Sequence, residues 1–218
     1  MKYAILLLFI ITIYYITRKK NKRIYEVKEI CPKLNLIKQY YKKIKSEVIN
    51  INNSTWSDWP EKYLYNSGDW KIFPFYAFDH YIDRNCKKCP YIYNFIKKIP
   101  NLKVALLSKL SPNSKLMSHN GWAFYSNYIL RCHYGIIVPK NCYLVVEDNN
   151  GKSKKYHKNN EWIIFDDSKM HYAVNESNEE RIVLIIDVKR PRNVKTGKST
   201  SEDSNELREL VNYYINIY

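Results

Sequence analysis

Tyr128-Ile129-Leu130-Arg131-Cys132-His133-Tyr134-Gly135-Ile136-Ile137-Val138 is broken by Pro139-Lys140-Asn141, resumes as Cys142-Tyr143-Leu144-Val145-Val146-Glu147, and breaks again at Asp148-Asn149-Asn150-Gly151. Two short runs rich in β-branched and aromatic residues, each closed by turn-forming residues, read as neighbouring strands. The pattern continues on both sides. Val104 to Leu107, Trp162 to Phe165 and Ile182 to Val188 are further runs of this kind, with Ser111-Pro112-Asn113 among their separators. Regular short strands between polar turns predict a mainly β sandwich or jelly roll, set here at residues 101–191.

Upstream, Leu36, Ile37, Tyr40, Tyr41, Ile44 and Val48 recur at helical spacing among lysines, which predicts an amphipathic helix from Leu34 to about Ile51. Trp56 to Phe78, punctuated by Pro60, Gly68 and Pro74, reads as irregular structure with short strands, and Tyr91 to Lys98 as a helix ended by Pro100. Residues 24–100 are therefore the helical and irregular N-terminal part of the same domain. After Pro191 the chain is polar to about Ser204; Leu207, Leu210, Val211, Tyr214 and Ile215 then predict a closing helix within residues 192–218.

At the other end, Tyr3 to Thr17 is almost wholly apolar, preceded by Lys2 and followed by Arg18-Lys19-Lys20-Asn21-Lys22-Arg23. A short transmembrane helix and a signal peptide share this outline. No small-residue cleavage site follows, so residues 1–23 are expected to be an uncleaved single-pass membrane anchor with a basic flank. The basic run would keep the C-terminal domain in the cytosol. Sequons at Asn52 and Asn53 would be usable only in a luminal domain.

The 218 residues carry a formal net charge of +15, which steers a protein toward phosphates, anionic lipid headgroups or acidic substrates. No helix-turn-helix or zinc-finger spacing accompanies that charge, so nucleic acid is not an expected partner. Five cysteines are too few for a disulfide scaffold. Cys86-Lys87-Lys88-Cys89 lacks the second Cys/His pair of a zinc site, so two thiols in a loop before Pro90 are the leading reading, with a redox pair outside the usual βαβ setting as the alternative.

Three of the five histidines, His119, His133 and His171, attract attention within the β-rich segment. Two neutral imidazoles from separate strands can hold iron and leave open positions for an oxidant and a cosubstrate. His119 and His171 are the candidate ligands, with a hydrogen-bonded structural role as the alternative. The usual carboxylate two places after the first histidine is Gly121 here, and Asn120 would face the other side of a strand.

Ser108, Ser118-His119-Asn120-Gly121, Leu130-Arg131-Cys132-His133, Ile164-Phe165-Asp166-Asp167-Ser168, His171, Asn175, and Arg181-Ile182-Val183-Leu184 with Asp187 and Pro191 follow in order. Together they resemble the aspartyl/asparaginyl β-hydroxylase family of Fe(II)- and 2-oxoglutarate-dependent dioxygenases, which likewise has glycine at the position of the missing carboxylate. The similarity covers roughly residues 100–191.

The resemblance implies a double-stranded β-helix, a cupin-like jelly roll, with flanking α-helices. It implies iron held by His119 and His171, with water in place of the third ligand and Asp167 holding that water. It also places Ser108, Arg131, His133 and Arg181 around 2-oxoglutarate, where an arginine can meet a carboxylate bidentately. The implied reaction consumes O2 and 2-oxoglutarate, releases succinate and carbon dioxide, and hydroxylates the substrate. Protein Asp or Asn side chains rank first as substrate. A lipid acyl chain follows, as in similar membrane-anchored members such as the lipid A hydroxylases, and a non-catalytic cupin-like binding module is the remaining alternative.

Overall fold

The computed structural model describes residues 19–65, 67–77 and 79–215. The expected anchor at Tyr3 to Thr17 lies outside them, and among the described residues no helix is long and apolar enough to cross a membrane. Among the described residues twelve strands run in chain order: β1 (Ile24–Tyr25), β2 (Ser57–Asp58), β3 (Trp70–Ala77), β4 (His80–Tyr81), β5 (Leu102–Leu110), β6 (Ser114–Lys115), β7 (Ile129–Ile137), β8 (Cys142–Asp148), β9 (Gly151–Tyr156), β10 (Trp162–Phe165), β11 (Met170–Asn175) and β12 (Arg181–Lys189). The helices are α1 (Val27–Ile30), α2 (Tyr41–Ile49), α3 (Asp83–Lys88), α4 (Pro90–Ile96), α5 (Ala123–Ser126) and α6 (Asn205–Ile215).

All named pairings are antiparallel. The larger sheet has the order β1-β10-β7-β12-β5-β3-β2, with β4 beside β3, and the smaller has the order β6-β11-β8-β9. Side-chain alternation divides the larger sheet into two unlike faces. Phe73, Leu107, Cys132, Tyr134, Ile164, Leu184 and Ile186 point outward and pack with Leu34, Ile37, Ile44, Ile92 and Phe95 of the N-terminal helices. Each such buried side chain contributes about 1.5–3 kcal/mol. The intervening positions face the smaller sheet, and there Trp70, Leu110, Ile163 and Phe165 meet Leu144, Val146 and Ala173. The same inward rows carry Ser108, Arg131, His133, Arg181 and Asp187, as the strand registers require. Residues of opposite polarity on one strand thus serve the helical core and the barrel interior.

Three elements differ from the sequence-based expectation. The single helix expected over Leu34 to Ile51 is a 3-10 segment, Pro32–Tyr40, running into α2. Leu34, Ile37 and Tyr40 recur every three residues, the 3-10 repeat, before Tyr41, Ile44 and Val48 take up the α-helical one. The aromatic segment contains a full strand, β3, whose Pro74 sits at a register shift between Pro74 and Tyr76, where a missing N–H is tolerated. Cys86 lies within α3 and Cys89 follows its last residue, so they are not loop thiols. Both are free and buried, and burial pushes both up to about 12, away from redox chemistry.

Gly135 on β7 lets the chain after β9 lie directly against the sheet. Its amide donates to the Glu161 carbonyl at 3.1 Å and its carbonyl accepts from the Asn160 amide at 2.9 Å. A Cβ here would stand 2.1 Å from the Lys158 carbonyl oxygen, a backbone atom. Gly135→Ala is therefore expected to destabilise the fold by about 1–3 kcal/mol, as overpacking does. A urea midpoint unchanged from that of the parent protein would show that the turn yields freely.

Candidate functional site

His119 and His171 are brought together by the backbone itself. The His119 amide donates to the His171 carbonyl at 3.0 Å and the His171 amide returns the bond at 2.7 Å. Residues so paired in antiparallel chains project their side chains to one face, and the two ring centroids lie 4.4 Å apart. Each ring places Nδ1 2.8 Å from the carbonyl two residues before it, Met117 for His119 and Lys169 for His171. A carbonyl only accepts, so Nδ1 carries the proton and Nε2 keeps its lone pair. Burial, the leading cause, holds both imidazoles below their usual pKa and so neutral.

Asp167 lies beside this pair, its Oδ1 3.5 Å from Nε2 of His171. Its backbone carbonyl accepts from the Gly121 amide at 2.8 Å. A Cβ on Gly121 would stand 2.1 Å from Asp167 Oδ2. The space that a side chain at position 121 would need is thus filled by the carboxylate of Asp167.

Arg131 faces two acids. Nε and Nη2 donate to Asp187 at 2.9 and 2.8 Å, while Nη1 lies 2.7 Å from Asp167 Oδ1. That last contact is an ion pair without hydrogen-bond alignment, so neither Asp167 oxygen has a hydrogen-bond donor among the described residues. Tyr125 also donates to Asp187, at 3.2 Å. Burial raises both carboxyl pKa values, and the Arg131 charge opposes the rise.

The His171 Nε2 lone pair therefore lies 3.5 Å from the Asp167 carboxyl group, with the His119 ring 4.4 Å from that of His171 between centroids. Lone pairs in a buried setting repel unless a cation or proton separates them, so this donor set fits a divalent metal with imidazole ligands. Among the described residues no group of three or more His, Cys, Asp or Glu side chains is placed to hold a metal.

A second cluster lies on the inward face of the larger sheet. Arg181 is 2% exposed, and no carboxylate pairs with it among the described residues. Burial brings its pKa down to about 10, which leaves it charged at neutral pH. Trp70 Nε1 donates to Ser108 Oγ at 3.1 Å, which leaves the serine proton to donate elsewhere. His133 Nδ1 lies 3.2 Å from His157 Nε2. Among the described residues Arg181 Nη1, His133 Nε2 and His157 Nδ1 are buried without hydrogen-bond partners. A buried cation with an unmatched donor fits a carboxylate.

A cavity of about 650 Å3 opens beside the first cluster, with His119, Arg131, Asp167 and Asp187 among its lining residues. Trp59, Trp70, Leu106, Leu207, Leu210 and Val211 make much of its wall, the last three from α6. Ser108, His133 and Arg181 do not line it. Sequence reasoning missed His157, which follows the polar run Gly151–Tyr156 and has no local mark of burial, and it assigned no task to Tyr125.

Because the Asp167 carboxylate occupies the space beside Gly121, Gly121→Ala must displace it. Binding of Co(II), followed by its absorption spectrum, is expected to weaken about tenfold or more, as when outer-shell partners of metal ligands are disturbed. Unaltered Co(II) affinity would separate Asp167 from the metal site.

The sequence pattern of the aspartyl/asparaginyl beta-hydroxylase family matches residues 38–191. Among curated relatives, the ornithine lipid ester-linked acyl 2-hydroxylase of Rhizobium tropici is 33% identical over 123 residues, 56% of this chain and 42% of that one. Aspartate beta-hydroxylase domain-containing protein 2 of Homo sapiens is 32% identical over 136 residues, 57% of this chain and 34% of that one. The chain thus spans less than half the length of either relative. A solved oxidoreductase of the 2OG-Fe(II) oxygenase family from Burkholderia pseudomallei superposes with a TM-score of 0.51 at 9% identity, over 73% of this chain and 83% of the other, a likeness of fold. With the match covering 38–191 of 218 residues, this chain belongs to the aspartyl/asparaginyl beta-hydroxylase family.

Proposed function

We propose that the protein is an Fe(II)- and 2-oxoglutarate-dependent dioxygenase that hydroxylates an aliphatic C–H bond of a lipid acyl chain. The observation that carries the enzyme class is the His119–His171 pair, with rings 4.4 Å apart and His171 Nε2 3.5 Å from the Asp167 carboxyl group, whose oxygens lack a hydrogen-bond donor among the described residues. Iron with 2-oxoglutarate supplies the oxidising power for C–H cleavage and consumes O2. His119 and His171 would hold the metal through Nε2, with Nδ1 anchored on the Met117 and Lys169 carbonyls so that neither ring turns. Asp167, kept in place by Arg131, would accept hydrogen bonds from a water at the position of the missing ligand. Arg181, His133 and Ser108 would take a carboxylate of the cosubstrate, while Arg131 offers positive charge at the cavity wall. Trp70 and Ile72 line the cavity and exclude water.

We place the acyl chain ahead of protein Asp or Asn, the opposite order to the one drawn from sequence, and the cavity lining supports that reading. Glu61, Glu202, Asp167 and Asp187 all line it, and Arg131, the one lining arginine or lysine among the described residues, already faces two of them. An acidic substrate side chain would meet repulsion there, whereas an aliphatic chain suits the Trp and Leu wall. The name of the Rhizobium tropici relative, an acyl 2-hydroxylase, supports the same reading. Residues 3–17 as an anchor and the net charge of +15 would suit a domain at an anionic bilayer.

The test is oxygen-dependent succinate release from 2-oxoglutarate by the full chain in detergent, with mixed acyl-lipid micelles or with Asp- and Asn-containing peptides. Lipid is expected to stimulate turnover, and His171→Ala to reduce it at least a hundredfold. Leu210→Lys, which puts a charge in the apolar wall, is expected to cut lipid-stimulated turnover about tenfold. Stimulation by peptide alone would restore the Asp/Asn reading, and no succinate under any condition would leave a binding module.

A further inference from the structure

His133 and His157 form a pair whose proton arrangement has a consequence for the buried cationic cluster. The rings are nearly coplanar, with an interplanar angle of 17° and centroids 5.5 Å apart. His133 Nδ1 and His157 Nε2 are 3.2 Å apart, so one of these nitrogens carries a proton and the other a lone pair. Both imidazoles are neutral, because burial first and the neighbouring Arg181 charge also push their pKa values well down. The choice of tautomer therefore propagates. If His133 donates from Nδ1, its Nε2 is an acceptor and repels a carboxylate. If His157 donates from Nε2, His133 Nε2 is left as an N–H donor within the field of the Arg181 charge.

We propose that His157 is a positioning residue that donates its Nε2 proton to His133 and so holds His133 as an Nε2–H donor toward the carboxylate bound by Arg181. The proposal rests on the 2-oxoglutarate reading above. Arg181 Nη1 and His133 Nε2 are both buried and unmatched, as two donors awaiting one anion would be. Ser108 adds a hydroxyl proton from the neighbouring strand, its lone pair engaged by Trp70. Gly135 is part of the device: the backbone of 158–161 lies against its bare Cα, which seats His157 over β7. A neutral donor suits this place better than an imidazolium, since a second buried cation beside Arg181 would carry a desolvation cost.

Two measurements test it on the full chain in detergent. The first is the nitrogen-15 NMR spectrum of the histidine rings in the metal-free protein, where His133 Nε2 is expected as a protonated nitrogen and His157 Nδ1 as a lone-pair nitrogen. The opposite pattern, retained on adding 2-oxoglutarate with Zn(II), overturns the proposal. The second is 2-oxoglutarate affinity by calorimetry with Zn(II) in place of iron, so that no turnover is involved. His157→Phe removes the donor and is expected to weaken binding roughly tenfold or more. His157→Gln, which can return an N–H to the His133 Nδ1, is expected to recover most of that loss. Equal affinity in all three proteins overturns the role of His157. Failure of the parent protein to bind 2-oxoglutarate would instead count against the cosubstrate reading, and the NMR arm would still report the tautomer.

Discussion

Arg131, set between Asp187 and Asp167, is the constraint on which the barrel interior depends. Arg131 and Asp187 are direct cross-strand partners on β7 and β12, so their side chains start from the same face. The third member comes from the turn between β10 and β11. Breaking such a buried pair by removing one partner leaves an uncompensated charge and typically costs 3–5 kcal/mol. The neighbouring Asp166 faces the other way, toward Arg190, which donates to it through Nη1 at 3.0 Å and also through Nη2. Consecutive aspartates gripped by arginines on opposite sides leave the turn little freedom. His171 follows four residues later, so its ring is positioned by the same restraint.

The cluster is also unbalanced: one guanidinium serves two carboxylates. A fold selected for stability alone would fill this space with apolar side chains, as the outward face of the same strands does with Leu184, Ile186 and Cys132. An excess carboxylate is tolerable where a cation is to be bound. Local disagreement with the rules that govern the rest of the core therefore marks the site, as expected of functional positions.

The β-rich character after Pro100 was legible because β-branched runs and turn residues alternate there, and Trp162–Phe165 begins and ends where the pattern says it should. Two strands escaped notice for a common reason. Gly151–Tyr156 is polar throughout, as an exposed edge strand is, and Met170–Asn175 mixes polar and apolar residues because its inward row carries His171 and Asn175. Pro74 and Gly68 disguised β3, whose bulge no periodicity announces. For the candidate site, residue types and order identified His119 and His171 as a pair, but their reciprocal backbone hydrogen bonds are a tertiary fact. His157 was invisible because its burial depends on Gly135, twenty-two residues earlier, lacking a side chain.

The two clusters oppose one another in charge. Around His119 and His171, lone pairs and carboxylates outnumber donors; in the second cluster the Arg181 Nη1 donor stands without a partner among the described residues. Between them lies Phe165, whose ring meets His171 and His133 each at 5.0 Å. The ring belongs to β10, immediately before Asp166 and Asp167, so the spacer between the clusters and the acid of the first are fixed by one short stretch of chain. Each cluster alone carries an electrostatic cost in a poorly solvated interior. Under the proposed function, a metal dication relieves one and a dicarboxylate the other, and a molecule that reaches both must pass the Phe165 edge. Phe165 thus puts an apolar ring between His171 of the first cluster and His133 of the second. A salt bridge between Arg181 and Asp167 would, under the proposed function, abolish both binding sites at once.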